Sequence, residues 1–175
     1  METALELRGG INLPVGDFSD TPGVDAKSVA GFGADLLLPV HRRIAVYVGG
    51  GREIFDCRRC QGEDEVLTTG LGVGTKAFLP MGPISWAPWF KVGAVYHRLD
   101  FEVAGISGES DWGLGFQAAV GLDIPLGEVL AFSPAVRYHS HTAELESPDL
   151  DFLEVEEDVR FFSFDLAIVV HPGTE

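Results

Sequence analysis

Residues 112–126 read WGLGFQAAVGLDIPL, and taken two at a time they separate into two sets. Trp112, Leu114, Phe116, Ala118, Val120, Leu122, Ile124 and Leu126 are apolar. The intervening residues, Gly113, Gly115, Gln117, Ala119, Gly121, Asp123 and Pro125, are small or polar. Side chains of a strand alternate between its two faces, whereas a helix would scatter both sets around its circumference. The segment is therefore one strand with an apolar face and a small, polar face. It is also much longer than the common strand of about five or six residues.

The pattern recurs. Between Leu67 and Leu79 one face carries Leu67, Thr69, Leu71, Val73, Thr75, Ala77 and Leu79. The other carries Thr68, Gly70, Gly72, Gly74, Lys76 and Phe78. Near the end of the chain Phe162, Phe164, Leu166, Ile168 and Val170 alternate with Ser163, Asp165, Ala167 and Val169.

Read in this way, the chain predicts eight strands, at about 4–15, 31–40, 44–55, 66–79, 84–103, 112–126, 129–143 and 160–171. The facing of the third is left open, because Gly49, Gly50 and Gly51 blur its alternation. In the fifth, Leu99, Phe101 and Val103 fall out of phase with Phe90 to Tyr96, which predicts a bulge near His97–Arg98. The connections alternate between long, polar stretches and tight turns such as Gly127-Glu128. In an up-and-down meander, four long loops then share one rim and three tight turns the other.

At 175 residues the chain reads as one domain, residues 1–175, long enough for one closed barrel. A net charge of −15 argues against a nucleic-acid partner, since phosphates call for Lys and Arg. No run of about eighteen apolar residues marks a membrane helix. Nor does Met1-Glu2-Thr3-Ala4 begin a recognisable signal peptide, so an exported protein is expected to be represented by its mature form.

Alternation fits two opposite proteins: a soluble barrel with its apolar face inward, and a membrane barrel with that face against lipid. Size decides between them. The interior of an eight-stranded barrel is only wide enough for side chains or one small ligand. Five or more large apolar residues per strand overfill it, so the apolar face is expected outward and the glycine-rich face inward. The expected interior network is Glu6, Arg8, Asp35, Lys76, Lys91, Gln117, Asp123, Arg137, His139 and Asp165, with charges of both signs to pair. Phe55, Trp86, Trp89 and Trp112, near strand ends, are expected as interfacial aromatics.

The chain resembles the OmpA-like family of eight-stranded outer-membrane β-barrels. The resemblance lies in RGGINLPVGDF, GLGVGTKAFLP, WFKVGAVYHRLDF and FFSFDLAIVV. It implies a transmembrane, all-β, antiparallel up-and-down closed barrel of outer-membrane type, in the bacterial outer membrane or at the cell surface. The last residues, HPGTE, depart from the aromatic ending usual in such barrels.

Three features invite a chemical reading. Cys57 and Cys60 form C-x-x-C in a long connection, where an intraloop disulfide is expected rather than half a zinc site, with a bridge between subunits as the alternative. His139, Ser140, His141 and Glu144 invite comparison with outer-membrane lipid A deacylases, but both histidines share one face and Ser140 lies on the other. No catalytic residue, metal ligand or cofactor is assigned. The segment Glu144–Asp158 holds eight carboxylates and no basic residue, which allows weak divalent-cation binding. The expected role is non-enzymatic, structural or surface-interacting through the long acidic loops, with outer-membrane lipid or neighbouring copies as partners. The alternatives are a subunit of a self-assembling extracellular fibre or array and a lipid A-modifying hydrolase.

Overall fold

The computed structural model describes residues 2–15, 26–27, 30–57, 65–80, 86–103, 106–145 and 155–172. The strands among these are β1 (Ala4–Pro14), β2 (Ala26–Lys27), β3 (Ala30–His41), β4 (Ile44–Cys57), β5 (Glu65–Phe78), β6 (Ala87–Val103), β7 (Ile106–Glu109), β8 (Gly113–Pro125), β9 (Leu130–Leu145) and β10 (Val155–Val170). Eight of them make the wall in the order β4-β3-β1-β10-β9-β8-β6-β5, and pairing of β4 with β5 closes the ring. Every pairing is antiparallel, and the first and last wall strands meet along Leu5↔Val170 to Pro14↔Phe161. Closure leaves no edge strand in the wall, so the backbone groups of these long strands find partners within the protein.

The short β2 and β7 lie within connections whose composition predicts loops; they pair with β4 and β6. The hairpin of β9 and β10 also reaches further than expected, with Leu145 opposite Val155. The acidic connection is therefore shorter than its composition implies. Charge marked those residues as solvated, and strand geometry accommodates solvated residues beyond the rim equally well. At the other rim, Gly127 turns the chain with φ of 115°, a conformation that disfavours residues with a Cβ.

One local expectation is corrected, and one facing that the sequence leaves open is decided. The β5–β6 register runs without interruption from Val66↔Phe101 to Phe78↔Trp89, so there is no bulge at His97–Arg98. Leu99 instead keeps its phase and is buried inside, 5% exposed. The irregularity the wall does contain lies between Pro39 and His41. In β4 the parity passes intact through the glycines, so that Ala45, Tyr47, Glu53 and Phe55 all point inward.

The outer wall is apolar. Leu114 is 71% exposed, Leu166 59% and Phe116 53%, and the outward residues of β1 (Leu5, Leu7, Ile11, Leu13) and β10 (Phe162, Phe164, Leu166, Ile168) continue the surface. Eight residue steps at about 3.3 Å, tilted by about 40°, give a belt about 20 Å high, comparable with the ~25 Å band of membrane barrels.

Candidate functional site

Inside the barrel the side chains form layers. Ala4, Leu37, Ala45, Ala131 and Val169, with the ring of Tyr47, close the tight-turn end. Above them sits an ionic layer. Lys76 Nζ donates to Glu6 Oε2 at 2.9 Å and to Asp123 at 3.3 Å. Lys91 Nζ lies 3.5 Å from Glu6 Oε1 and makes a short contact with Asp35, which also accepts from Arg8 at 2.9 Å. Arg137 donates to Asp165 at 2.9 Å and to Gln117 Oε1 at 3.1 Å, and Gln117 Nε2 donates to Tyr47 Oη at 2.7 Å. These residues come from β1, β3, β4, β5, β6, β8, β9 and β10; their polar contacts fall into two sets, which meet where Lys91 Nζ sits 4.1 Å from the centroid of the Tyr47 ring.

Period-two alternation explains why the sequence places these groups inward: each shares the parity of its strand's glycines or of another buried residue. It did not single out the neutral partners. Ser133 donates to Asp123 at 2.6 Å and accepts from Trp89 Nε1 at 3.2 Å, and Ser163 donates to Asn12 at 2.7 Å. Tyr47 was missed because the facing of its strand was unresolved. Its ring needs the bare backbones of Gly74 and Gly93, where a Cβ would collide with it.

Phe55 and Trp89 correct the aromatic assignment. Both point into the barrel, 0% and 2% exposed, rather than outward. Trp89 shares the parity of Lys91. Its ring lies against Gly121, and Lys76 Nζ sits 4.2 Å from a ring centroid, a cation–π contact in addition to the ion pairs. Phe55 meets Phe161 edge-on at 5.3 Å toward the long-loop end, where Val159 and Leu99 are buried as well. Position near a strand end had outweighed parity in the sequence reading. Trp86 and Trp112 do lie outside, 49% and 38% exposed. Tyr96 stacks on Trp112 at 5.0 Å, and Phe116, Tyr138 and Phe162 form a ladder on the same surface with centroids 5.8 and 5.1 Å apart.

On the long-loop side of the ionic layer His97, His139, His141, Glu53 and Thr68 are all buried, His139 opposite Phe161 and His141 opposite Val159 in the register of β9 and β10. His97 and His141 stack with centroids 4.5 Å apart, and His139 stacks on Phe161 at 4.6 Å. Ser140 lies on the opposite face of β9 from His139 and His141, so no histidine–serine pair forms. Cys60 and residues 146–154 lie outside the described residues, as does the side chain of Cys57. The expected disulfide therefore lies outside the described residues, as does most of the acidic segment expected to bind cations; of its carboxylates, Asp158 is described and pairs with Arg160 at 2.6 Å.

No protein-family model matches the chain, and no curated protein matches it in sequence. Solved structures do. Neisserial surface protein A superposes with a TM-score of 0.71 at 10% identity, covering 97% of this chain and 96% of that one. OprG of Pseudomonas aeruginosa gives 0.62 at 15%, covering 97% and 95%. Outer membrane protein W of E. coli gives 0.61 at 15%, covering 97% of each. With sequence identity so low, what is shared over almost the whole chain is architecture: this protein has the fold of the eight-stranded outer-membrane β-barrels.

Proposed function

We propose that this protein is a non-catalytic barrel of the bacterial outer membrane that carries its long, acidic connections at the cell surface for interaction. The observation that carries this reading is the inversion of the barrel: a wall of exposed apolar side chains around an interior filled by paired charges and aromatic packing. An apolar belt of that height must be covered, and lipid covers it on every side at once. The filled interior argues against a pore. The separation of Ser140 from the two histidines argues against lipid A hydrolysis by that cluster.

Electron microscopy and sedimentation of purified protein, with and without detergent, test the reading. A monomer that requires detergent, shifts on heating in gel electrophoresis and gives no conductance in planar bilayers is the expected result. Ordered filaments or arrays without detergent would transfer the belt to subunit–subunit contact and overturn the lipid assignment. A monodisperse, detergent-free monomer would refute both.

A further inference from the structure

The chain has 12 Lys and Arg against 27 Asp and Glu, and Arg8, Lys76, Lys91 and Arg137 are held in the ion pairs of the interior. Two of the other arginines share one row of the outer wall. Arg52 on β4 lies opposite Thr69 on β5, and Thr69 lies opposite Arg98 on β6. Arg52 is exposed, next to the inward Glu53, and Arg98 has the outward parity of Tyr96. Strands about 4.8 Å apart put the two arginine Cα atoms about 10 Å apart, so both guanidinium groups reach an atom held above Thr69.

The row stands at a definite depth. On its tight-turn side the next row is Leu71, Tyr96 and Leu114, all exposed and apolar or aromatic. Tyr96 stacks there on Trp112, and aromatic girdles of membrane barrels lie at the headgroup level. The arginine row therefore begins where the apolar belt ends. Beside it the wall dips at Ala34 and Gly50, which face each other across β3 and β4 between the exposed side chains of Phe32, Val48 and Leu71.

Charge and hydrogen bonding indicate what this row takes. Arg98 pairs with Asp100 at 3.1 Å on the loop side, whereas Arg52 makes no ion pair among the described side chains. Thr69 Oγ1, between them, has no hydrogen-bond partner. One positive charge is thus in excess, among groups that can all donate, at the edge of a surface shaped for hydrocarbon. The guanidinium fork matches the oxygens of a phosphate, and a phosphodiester carries the single negative charge that balances the excess.

We propose that Arg52, Thr69 and Arg98 hold the headgroup phosphate of one anionic lipid in the long-loop leaflet, with an acyl chain of that lipid lying in the dip over Ala34 and Gly50. The assignment rests on the lipid-facing reading of the belt and adds to it a fixed site for one class of lipid. A lipid held there sets the depth of the barrel and keeps the loop ends of β4 and β6 at the membrane surface.

The test places the full chain in nanodiscs of phosphatidylcholine with a minor fraction of phosphatidylglycerol and counts the lipids it retains on release, by native mass spectrometry. Insertion is scored first, by heat-dependent gel mobility. A protein that does not insert refutes the lipid-facing belt, whereas one that inserts and shows no preference for phosphatidylglycerol refutes this site alone. One retained phosphatidylglycerol per chain is expected. Arg52→Gln and Arg98→Gln should each lower its retention about fivefold, the order expected for one basic residue at an anionic surface. Arg52→Lys keeps the charge without the fork and should fall between. Ala34→Phe, which fills the dip and leaves the charges in place, should also lower retention. Unchanged retention in Arg52→Gln overturns the proposal and leaves the row to the chain's own carboxylates or to water. Equal losses with Arg42→Gln or Arg43→Gln, at the tight-turn rim, would reduce the effect to overall charge and overturn it too. Displacement of the lipid by inorganic phosphate would make this a free-anion site and refute the lipid as its occupant.

Discussion

Lys76 gives the sharpest test of the ionic layer. Its side chain is fully buried, its ammonium holds Glu6 at 2.9 Å and Asp123 at 3.3 Å, and the Trp89 ring lies 4.2 Å away. Lys76→Met keeps most of the volume and removes the charge. Glu6 retains Lys91 at 3.5 Å and Asp123 retains Ser133 at 2.6 Å, so neither carboxylate is left wholly without a partner. Even so, removal of one partner from a buried pair typically costs about 3–5 kcal/mol, because the remaining charge stays in a dry interior. With a urea dependence of about 2 kcal/mol/M, the unfolding midpoint in detergent or lipid should fall by about 1.5–2.5 M, read by tryptophan fluorescence and by mobility of the unheated protein. Adding Asp123→Asn removes the charge left behind, and the double variant should recover about 1–3 kcal/mol relative to the sum of the singles. Removing the exposed pair of Asp158 and Arg160 should change stability by no more than about 0.5 kcal/mol. A Lys76→Met midpoint within 0.3 M of wild type (roughly 0.6 kcal/mol at that slope), or strictly additive singles, would refute the reasoning.

Three further expectations follow from particular contacts. Leu166→Arg, near the middle of the outer belt on β10, should destabilise the barrel in lipid by about 2–4 kcal/mol, and equal folding yields of variant and wild type in vesicles would contradict a lipid-facing position. Gly93→Ala should lose about 1–3 kcal/mol by pushing on the Tyr47 hydroxyl and the Val73 carbonyl, and Tyr47→Phe should restore part of that loss in the double variant; no rescue would mean that the hydroxyl is not the obstacle. In proteins retaining a single tryptophan, bromine-labelled lipid should quench Trp112 strongly and Trp89 hardly at all, and strong quenching of Trp89 would place its ring outside.

Alternation in residues 112–126 was sufficient for a strand, and its recurrence for eight of them, because the two faces of these strands meet such different surroundings that nearly every residue carries the signal. The direction of the faces was also legible: so many large side chains do not fit inside eight strands. Most of the ionic layer follows from parity once that direction is known. Sequence parity could not say which charge meets which, because Lys76 and Glu6 lie seventy residues apart and the register and closure of the ring bring them together. Phe55 and Trp89 were misplaced for a related reason. Nearness to a rim is a one-dimensional property, whereas the side on which a ring points depends on an unbroken register through Gly49, Gly50 and Gly51 and on the space beside Gly121. The small cavity lined by Glu53, His97 and His139 belongs wholly to the tertiary structure. Three strands contribute one residue each, and only the closed barrel turns three unremarkable positions into a single buried layer whose charge and hydrogen bonds must balance.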